Sequence, residues 1–412
     1  MYSCTLKFHS FKSKITLNIC GSKSISQRAL IINSFITNEK IKNLSNSKDT
    51  ITLNKILSSN DELIDVKEGG TTLRFLLCLL STRENEYYVK GNVLLKKRPI
   101  KDLIVFLKKL GVHFKFIEKD FNIPLIIKGG QLKTRHLIID SNKTSQFASG
   151  IALIAPFIPG GLKLTIKQSL VSKPYFDMTL KMMRECGINI SNIGNSIIIK
   201  EGRYKKPYLN IESDWTSISY IYEIVSFSKN TTITCSKFHQ ESLQGDSNLI
   251  SFFSLLGVET TFKKKEVLIT KVSSFIKPKL IEWDICNNPD LFLTYVVTCL
   301  GLGINLKLTG FNSLNYKESN RLQVIKKELL KFNASVKIKD NIFFLDTSGV
   351  DLKFSSISTY FDHRVALAFS PLVILTKKIE IDNYDVVSKS YPQFWSDLKK
   401  IGIKIITNNK SL

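Results

Sequence analysis

Several signatures are missing from this chain, and each absence closes a class. The seven cysteines, Cys4, Cys20, Cys78, Cys186, Cys235, Cys286 and Cys299, are odd in number and show no metal-ligand spacing. Most lie in apolar runs such as "LRFLLCLL", where a thiol behaves as a small core residue. That excludes a disulfide scaffold and points to a reducing compartment. The opening residues, "MYSCTLKFHS", lack the basic-then-apolar pattern of a signal segment. The most lipophilic stretch, Leu291 to Leu306, is interrupted by Thr294, Thr298 and glycines, and falls short of the roughly 20 residues of a membrane span. No segment has the polar, low-complexity composition of a disordered tail. These absences lead to the expectation of a cytoplasmic protein with no membrane partner.

Acidic residues are also scarce: 35 against 59 lysines and arginines, for a formal net charge of +24. Such a surplus can serve nucleic acid, an acidic surface or small anionic substrates. Here the basic residues are mostly lysine and are scattered over helix faces ("IKKELLKF") and strand ends ("TTFKKKEVLITK"). No aromatic–basic stripe or nucleic-acid-binding motif accompanies them. Most of the surplus is read as composition bias, and no nucleic-acid partner is expected.

What is present is a repeat. A length of 412 residues is too great for one ordinary core, and two domains are the natural division. Five segments show an amphipathic helix ending at a glycine or asparagine and followed by a β-branched strand: "FLKKLGVHFKF", "MMRECGINI", "FFSLLGVET", "ELLKFNASVKI" and "DLKKIGIKI". Gly111, Gly187, Gly257 and Gly402 can take the left-handed conformation that stops a helix, and Asn333 is the next-best residue for it. The segments recur at roughly 70 residues, and a degraded copy, "ILSSNDELIDV", precedes the first. Second strands follow polar turns, as in "NSIIIK", "KEVLITK" and "NIFFLDT". Alternating strand and helix imply an α/β class, with three units in each of two similar domains. The N-terminal strand is expected in the far domain and the crossing back near Ile211, within "EGRYKKPYLNIESD". The expected domains are residues 1–20 plus 212–412, and 21–211, with a ligand cleft between them.

The chemistry gathers at helix starts. "GSKSISQRAL" places Lys23, Ser24 and Arg28 on a short loop entering a helix, without the first glycine of a nucleotide-binding P-loop. Free N–H groups and a positive dipole end make such a place receptive to an anion, although an ordinary helix capped by Ser24 fits equally. "KEGGTTLRF" offers Gly70 and Arg74; "SNKTSQFASG" offers Thr144, Ser145 and Gln146; "LVSKPYFDMTL" offers Ser172, Lys173 and Tyr175. "LNYKESNRL" brings Lys317, Glu318 and Arg321 to near-helical spacing on one face. "YFDHRVAL" holds Asp362, His363 and Arg364, and "VVSKSYPQFW" holds Lys389 and Ser390. Seven such starts together suggest a multivalent anion cradle. Among the cations, Asp290 in "NNPDLFL" and Glu318 are the acids suited to a base or electrostatic stabiliser; an N-cap for Asp290 and a surface ion pair for Glu318 remain open.

Taken in order, "GSKSISQRAL", "GGTTLRF", "KKRPI", "TSQFASGIAL", "LVSKPYFDMTL", "PDLFLT", "YKESNRL", "FDHRVAL" and "SKSYPQFW" resemble the enolpyruvyl transferase family, nearly end to end. The resemblance implies two domains of three βαβαββ units each, an inside-out α/β barrel. It implies transfer of the enolpyruvyl group of phosphoenolpyruvate to the 5-hydroxyl of shikimate 3-phosphate with release of phosphate, by a monomer using no metal or organic cofactor. By the same resemblance Lys23, Ser24, Arg28, Thr144, Ser145, Gln146, Ser172, Tyr175, Asp290, Ser313 and Lys317 hold shikimate 3-phosphate. Lys23, Gly70, Gln146, Arg321, Arg364 and Lys389 hold phosphoenolpyruvate. Asp290, helped by Lys317, takes the hydroxyl proton, and Glu318 with Lys23 manages proton transfer at the methylene carbon.

The chain departs from the family pattern at a few positions. The loop "GNVLLKKRPI" has Leu94 where the family has an arginine that contacts phosphoenolpyruvate, leaving Lys96 or Lys97 as substitutes. Glu68 stands at a usual asparagine or aspartate, Ser313 at an asparagine of some relatives, and Asn320 at a usual acid. The alternatives are a catalytically impaired relative that binds shikimate 3-phosphate, and the related UDP-N-acetylglucosamine enolpyruvyl transferase. The second expects asparagine after the first-loop lysine and a cysteine in a mobile loop; here Ser24 follows Lys23 and residues 91–98 hold no cysteine.

Overall fold

The computed structural model describes residues 2–36, 39–139, 144–167 and 170–409. The chain divides into two compact units, Met1–Cys20 with Glu212–Leu412, and Gly21–Ile211. Five four-stranded sheets repeat one topology. In the second unit, strands Leu63–Asp65 and Glu86–Lys90 run parallel, then Leu125–Lys128 and His113–Phe116 follow antiparallel. His136–Ile139, Leu162–Ile166, Ser196–Ile199 and Ile190–Ile193 repeat the order. In the first unit Ile15–Leu17 opens one sheet beside Thr232–Ser236, and Leu280–Asp284 opens another beside Asn305–Thr309. The third sheet there runs Ser356–Ile357, Lys378–Asp382, Tyr2–Phe8 and Ile403–Asn409, so the N-terminal strand fills the place that a hairpin strand fills elsewhere.

The helix stops behave as their residue types dictate. Gly111, Gly187, Gly257 and Gly402 have φ of 100°, 94°, 69° and 119°, and Asn333 has 56°. The earliest copy differs from expectation. Its helix, Lys48–Ser58, is present, but the strand after it, Leu63–Asp65, pairs with Glu86–Lys90 and opens the following unit. Among the described residues, the segment between the helices Lys23–Asn33 and Lys48–Ser58 makes a single parallel bridge, Lys42 to Asn210. Side chains stand in for the missing ladder: Tyr208 donates its N–H to Asn33 (2.8 Å), and the Asn33 amide donates to the Tyr208 carbonyl (3.1 Å).

Each repeat has two kinds of helix. The second is amphipathic: Phe394–Ile401 buries Phe394, Asp397, Leu398 and Ile401, one stripe at helical period. The first is buried on nearly every face. Every residue of Phe292–Leu300 and of His363–Phe369 is buried, as is every residue of Trp215–Ser226 except Thr216. In the other unit Ile25–Asn33, Thr72–Leu80 and Phe147–Ile154 are buried throughout. Helices buried all round sit at the centre of a core, and within each unit these pack against one another. Only their ends can carry polar chemistry to a surface. Among the described residues no helix is long and apolar enough to cross a membrane.

One helix stop carries a titratable group. The Lys271 amine, on a residue 8% exposed, donates to the Leu256 carbonyl beside Gly257 (2.6 Å) and lies 3.7 Å from the Phe275 ring centre. Burial lowers its pKa from 10.5 to about 8. The native state therefore binds fewer protons than the unfolded chain between those values, and gains stability as pH rises through that window. Lys271→Met removes the gain. Urea unfolding should show wild type improving over the variant by about 1–3 kcal/mol between pH 7 and pH 10.5. A difference independent of pH would refute the shift.

Candidate active site

In the unit Gly21–Ile211, polar groups at the starts of the buried helices are tied to one another. The helix Lys23–Asn33 is capped by Ser22, whose hydroxyl accepts from the Ile25 N–H at 3.4 Å, and not by Ser24. Ser24 is thereby half-buried in the first turn. The Lys23 amine pairs with Asp49 at 3.2 Å. Gln27 donates to Thr72 at 3.0 Å, linking this helix to Gly70–Leu80. Arg74 then donates to the Gln146 side-chain oxygen at 2.6 Å, which fixes the orientation of that amide at the start of Gln146–Ile154. The Gln146 N–H is held by the Thr144 hydroxyl at 3.2 Å, and Ser145 is buried beside it.

Arg28 is 1% exposed and lies over the Phe75 ring. It donates to the Thr179 hydroxyl (2.6 Å), the Ser24 carbonyl (2.8 Å), the Tyr175 carbonyl (2.9 Å) and the Ser149 hydroxyl (3.3 Å). All four acceptors are neutral, and burial pushes its pKa down to about 10. Ser172 begins the helix Lys173–Glu185 in the left-handed conformation, φ 59°, while buried. Left-handed backbone costs a non-glycine residue about 1–3 kcal/mol and concentrates at functional positions. Lys173 turns away to Asp177 at 2.6 Å.

The unit Met1–Cys20 with Glu212–Leu412 answers its cations with acids. Asp290 lies in the turn Pro289–Leu291 that leads into Phe292–Leu302, and its carboxylate does not cap that helix. One oxygen meets Lys317 (3.0 Å) and Arg321 (3.2 Å), the other Arg364 (2.9 Å). Burial is the largest influence on Asp290 and works to raise its pKa, but Arg364, Lys317 and Arg321 together hold it well below the usual carboxylate range. The Lys317 pKa is lowered by burial, against the pull of Asp290. Glu318 meets Arg321 at 3.0 Å and Lys389 at 3.8 Å. Lys317 and Glu318 do not share a helical face with Arg321. They lie on the loop before Arg321–Leu330, whose cap is Asn320, accepting from the Gln323 N–H at 3.2 Å. Asparagine caps as well as aspartate, which accounts for the substitution there. The Ser313 hydroxyl is buried with no hydrogen-bond partner among the described residues.

Some residues that shape both sites were not assigned from the sequence. Asp362 is fully buried; it accepts from Arg321 (2.9 and 3.3 Å) and Ser319 (3.0 Å), and caps His363–Phe369 through the Arg364 N–H (3.0 Å). Two consecutive left-handed residues before it, Tyr360 (φ 53°) and Phe361 (φ 58°), set this turn. Asp246, bonded to Asn288 and Thr216, has its pKa raised by burial and by the Asp290 charge. Asp362 was visible as a cap next to Arg364. Asp49, Thr179 and Asp246 carry no local signal, because each meets its partner across at least 26 residues of chain. Glu68 is exposed, and Leu94 is 40% exposed.

The repeated sheets, the buried helices and the cation-rich helix starts occur in both units, and comparison with known proteins places this architecture among transferases. The family model of EPSP synthase (3-phosphoshikimate 1-carboxyvinyltransferase) matches residues 52–398. A 3-phosphoshikimate 1-carboxyvinyltransferase of Bacteroides fragilis (strain YCH46) is 35% identical over 396 residues, covering 95% of this chain and 96% of the relative. That of Histophilus somni (strain 2336) is 28% identical over 421 residues, covering 93% and 96%. The solved EPSP synthase of Acinetobacter baumannii shares the fold, with a TM-score of 0.80 at 18% identity over 99% of this chain and 100% of that one. The chain belongs to the EPSP synthase family.

The central ion cluster makes a stability forecast. Removing one member of a buried charge pair leaves the other uncompensated, at a cost of about 3–5 kcal/mol. Asp362→Ala should lose that much in urea unfolding at neutral pH. A loss below about 1 kcal/mol would mean that Glu318 and Asp290 suffice for Arg321.

Proposed function

We propose that this chain transfers the enolpyruvyl group of phosphoenolpyruvate to the 5-hydroxyl of shikimate 3-phosphate, giving 5-enolpyruvylshikimate 3-phosphate and phosphate. The observation that carries this most is Asp290 gripped by Lys317, Arg321 and Arg364. It combines an ionised base with cations suited to a substrate bearing both carboxylate and phosphate. In this reading Lys23, Ser24, Arg28, Thr144, Ser145, Gln146, Ser172, Tyr175, Asp290, Ser313 and Lys317 hold shikimate 3-phosphate. The unpartnered Ser313 hydroxyl supports its assignment, since a buried polar atom calls for a partner. Lys23, Gly70, Gln146, Arg321, Arg364 and Lys389 take phosphoenolpyruvate.

The arrangement suggests how the base is switched on. When phosphoenolpyruvate draws Arg321 and Arg364 to its own anionic groups, Asp290 loses part of the field that depresses its pKa and becomes a better base. It then accepts the 5-hydroxyl proton as that oxygen bonds to C2 of phosphoenolpyruvate, with Lys317 beside it. A proton delivered to C3 from Glu318 or Lys23 completes the tetrahedral intermediate. Collapse returns a proton from C3, breaks the C2–O bond to phosphate and restores the double bond. The side chains supply every proton transfer, and the partners are the two anionic substrates, with no nucleic acid or second subunit. A cytoplasmic setting suits the free cysteines.

The test is phosphate release from purified protein with both substrates, and with each omitted in turn. Release should require both. Lys23→Met should abolish it in a variant that still unfolds cooperatively, at a Tm lowered by loss of the Asp49 ion pair. Substantial turnover by that variant would remove Lys23 from the mechanism, and no two-substrate release by wild type would sink the reading.

A further inference from the structure

The turn before the helix His363–Phe369 places two bulky residues in succession, Tyr360 and Phe361, on left-handed backbone, with φ of 53° and 58°. Bulky residues rarely take that conformation. Both are exposed, so packing of their own side chains does not offset the strain. Such a turn persists only where its surroundings over-determine it.

Carboxylates supply that determination. The Tyr360 hydroxyl donates to one oxygen of Glu328 at 2.9 Å, and the Ser358 N–H to the other at 3.2 Å. Between them the Thr359 N–H donates to Asp382 at 2.6 Å. Glu328 is fully buried and takes a third donor, the Lys331 amine, at 2.7 Å. Burial, reinforced by Glu328, pushes the Tyr360 hydroxyl up to about 12, so it remains a donor at neutral pH.

Glu328 belongs to the helix that Arg321 begins, Arg321–Leu330. Seven residues separate the two, which is two turns, about 10 Å along one face. The segment Ser358–Asp362 therefore grips this helix twice. At its start Asp362 takes the Arg321 guanidinium (2.9 and 3.3 Å), and two turns later Glu328 takes Ser358 and Tyr360. Asp362 also accepts from the Arg364 N–H at 3.0 Å. Arg321 and Arg364, both assigned above to phosphoenolpyruvate, are thus held to one carboxylate. The two left-handed residues before that carboxylate set its place.

We propose that Tyr360 is a positioning residue: bonded to Glu328, its hydroxyl holds the turn that places Asp362, and through Asp362 the side chain of Arg321 and the backbone of Arg364, for phosphoenolpyruvate. The inference rests on the proposed reaction and adds to it the part that keeps those two arginines in register.

The test uses the full-length protein and Tyr360→Phe, which removes the hydroxyl and keeps the ring. Tyr360 is exposed, so the substitution leaves the core intact. Lys331→Gln is the control, because it takes a donor from the same carboxylate at a residue outside Ser358–Asp362. Kinetics are run well below the Tm of each protein. Tyr360→Phe should raise the KM for phosphoenolpyruvate about three- to tenfold, while the Kd for shikimate 3-phosphate, titrated alone, stays within about twofold. Lys331→Gln should leave both within about twofold, although it too lowers the Tm. By hydrogen exchange the Arg364 amide should exchange about tenfold faster in Tyr360→Phe, measured against the amides of Phe292–Leu302 in the same protein. Lys331→Gln should leave that ratio unchanged. A rise in KM of less than about threefold overturns the inference. An equal loss for both ligands, or in both variants, also overturns it, since that marks general destabilisation. If wild type releases no phosphate with both substrates, the proposed reaction fails. The Arg364 exchange ratio then decides the role of the turn separately, an unchanged ratio overturning it.

Discussion

Burying a cation costs several kcal/mol unless something answers its charge, and that constraint shapes both units. The two answer it differently. Around Asp290 each of the cations Lys317, Arg321, Arg364 and Lys389 meets at least one of the carboxylates Asp290, Glu318 and Asp362. Around Arg28 the match is made only by hydroxyl and carbonyl dipoles from Ser24, Ser149, Tyr175 and Thr179. Dipoles satisfy a guanidinium's geometry without neutralising it. An anion arriving at Arg28 gains full Coulomb attraction, whereas one arriving at Arg321 must first displace a resident carboxylate. In the proposed reaction the displaced carboxylate serves as the base, which makes that exchange useful.

The buried helices explain why the chemistry sits where it does. A helix buried on all faces has no exposed side to offer, so groups that reach a surface leave from its start, while Arg28 and Arg74, further along theirs, stay buried. Lys23, Gly70 and Gln146 stand at such starts in one unit, and Asp290 and Arg364 in the other. The amphipathic helices of the same repeats supply supporting residues instead: Asp49 steadies Lys23 and Thr179 steadies Arg28.

Much of this was legible in the residues alone. The left-handed stops at Gly111, Gly187, Gly257, Asn333 and Gly402 follow from local backbone preferences, which sequence records directly. The repeat followed from them. The cations and the acids Asp290 and Glu318 were visible because they cluster in short motifs. Two readings failed for a shared reason. Ser24, left open between a cap and an anion ligand, is not the cap, which is Ser22, and Lys317 and Glu318, expected to share a face with Arg321, precede a helix that begins only there. Both errors are shifts of a helix boundary, where several adjacent polar residues compete for the same role. The strand Leu63–Asp65 was assigned to the wrong repeat because pairing is decided by distant partners. Asp246 matters through what lies beside it, and no window of sequence contains that.

The strand Tyr2–Phe8 is hydrogen-bonded on one side to Lys378–Asp382 and on the other to Ile403–Asn409. Ser3 and Glu380, which share a hydrogen bond, are 377 residues apart. At ribosomal speeds of roughly 5–20 residues per second, the first strand made waits roughly 20–75 s for the partners that enclose it. Gly21–Ile211, by contrast, has all its own strands once Ile211 has emerged. The inserted unit can therefore mature during translation, while the one around it closes only once Ile403–Asn409 has emerged. Nascent chains stalled before residue 378 would leave an amphipathic strand without its neighbours, a natural target for chaperones and proteases.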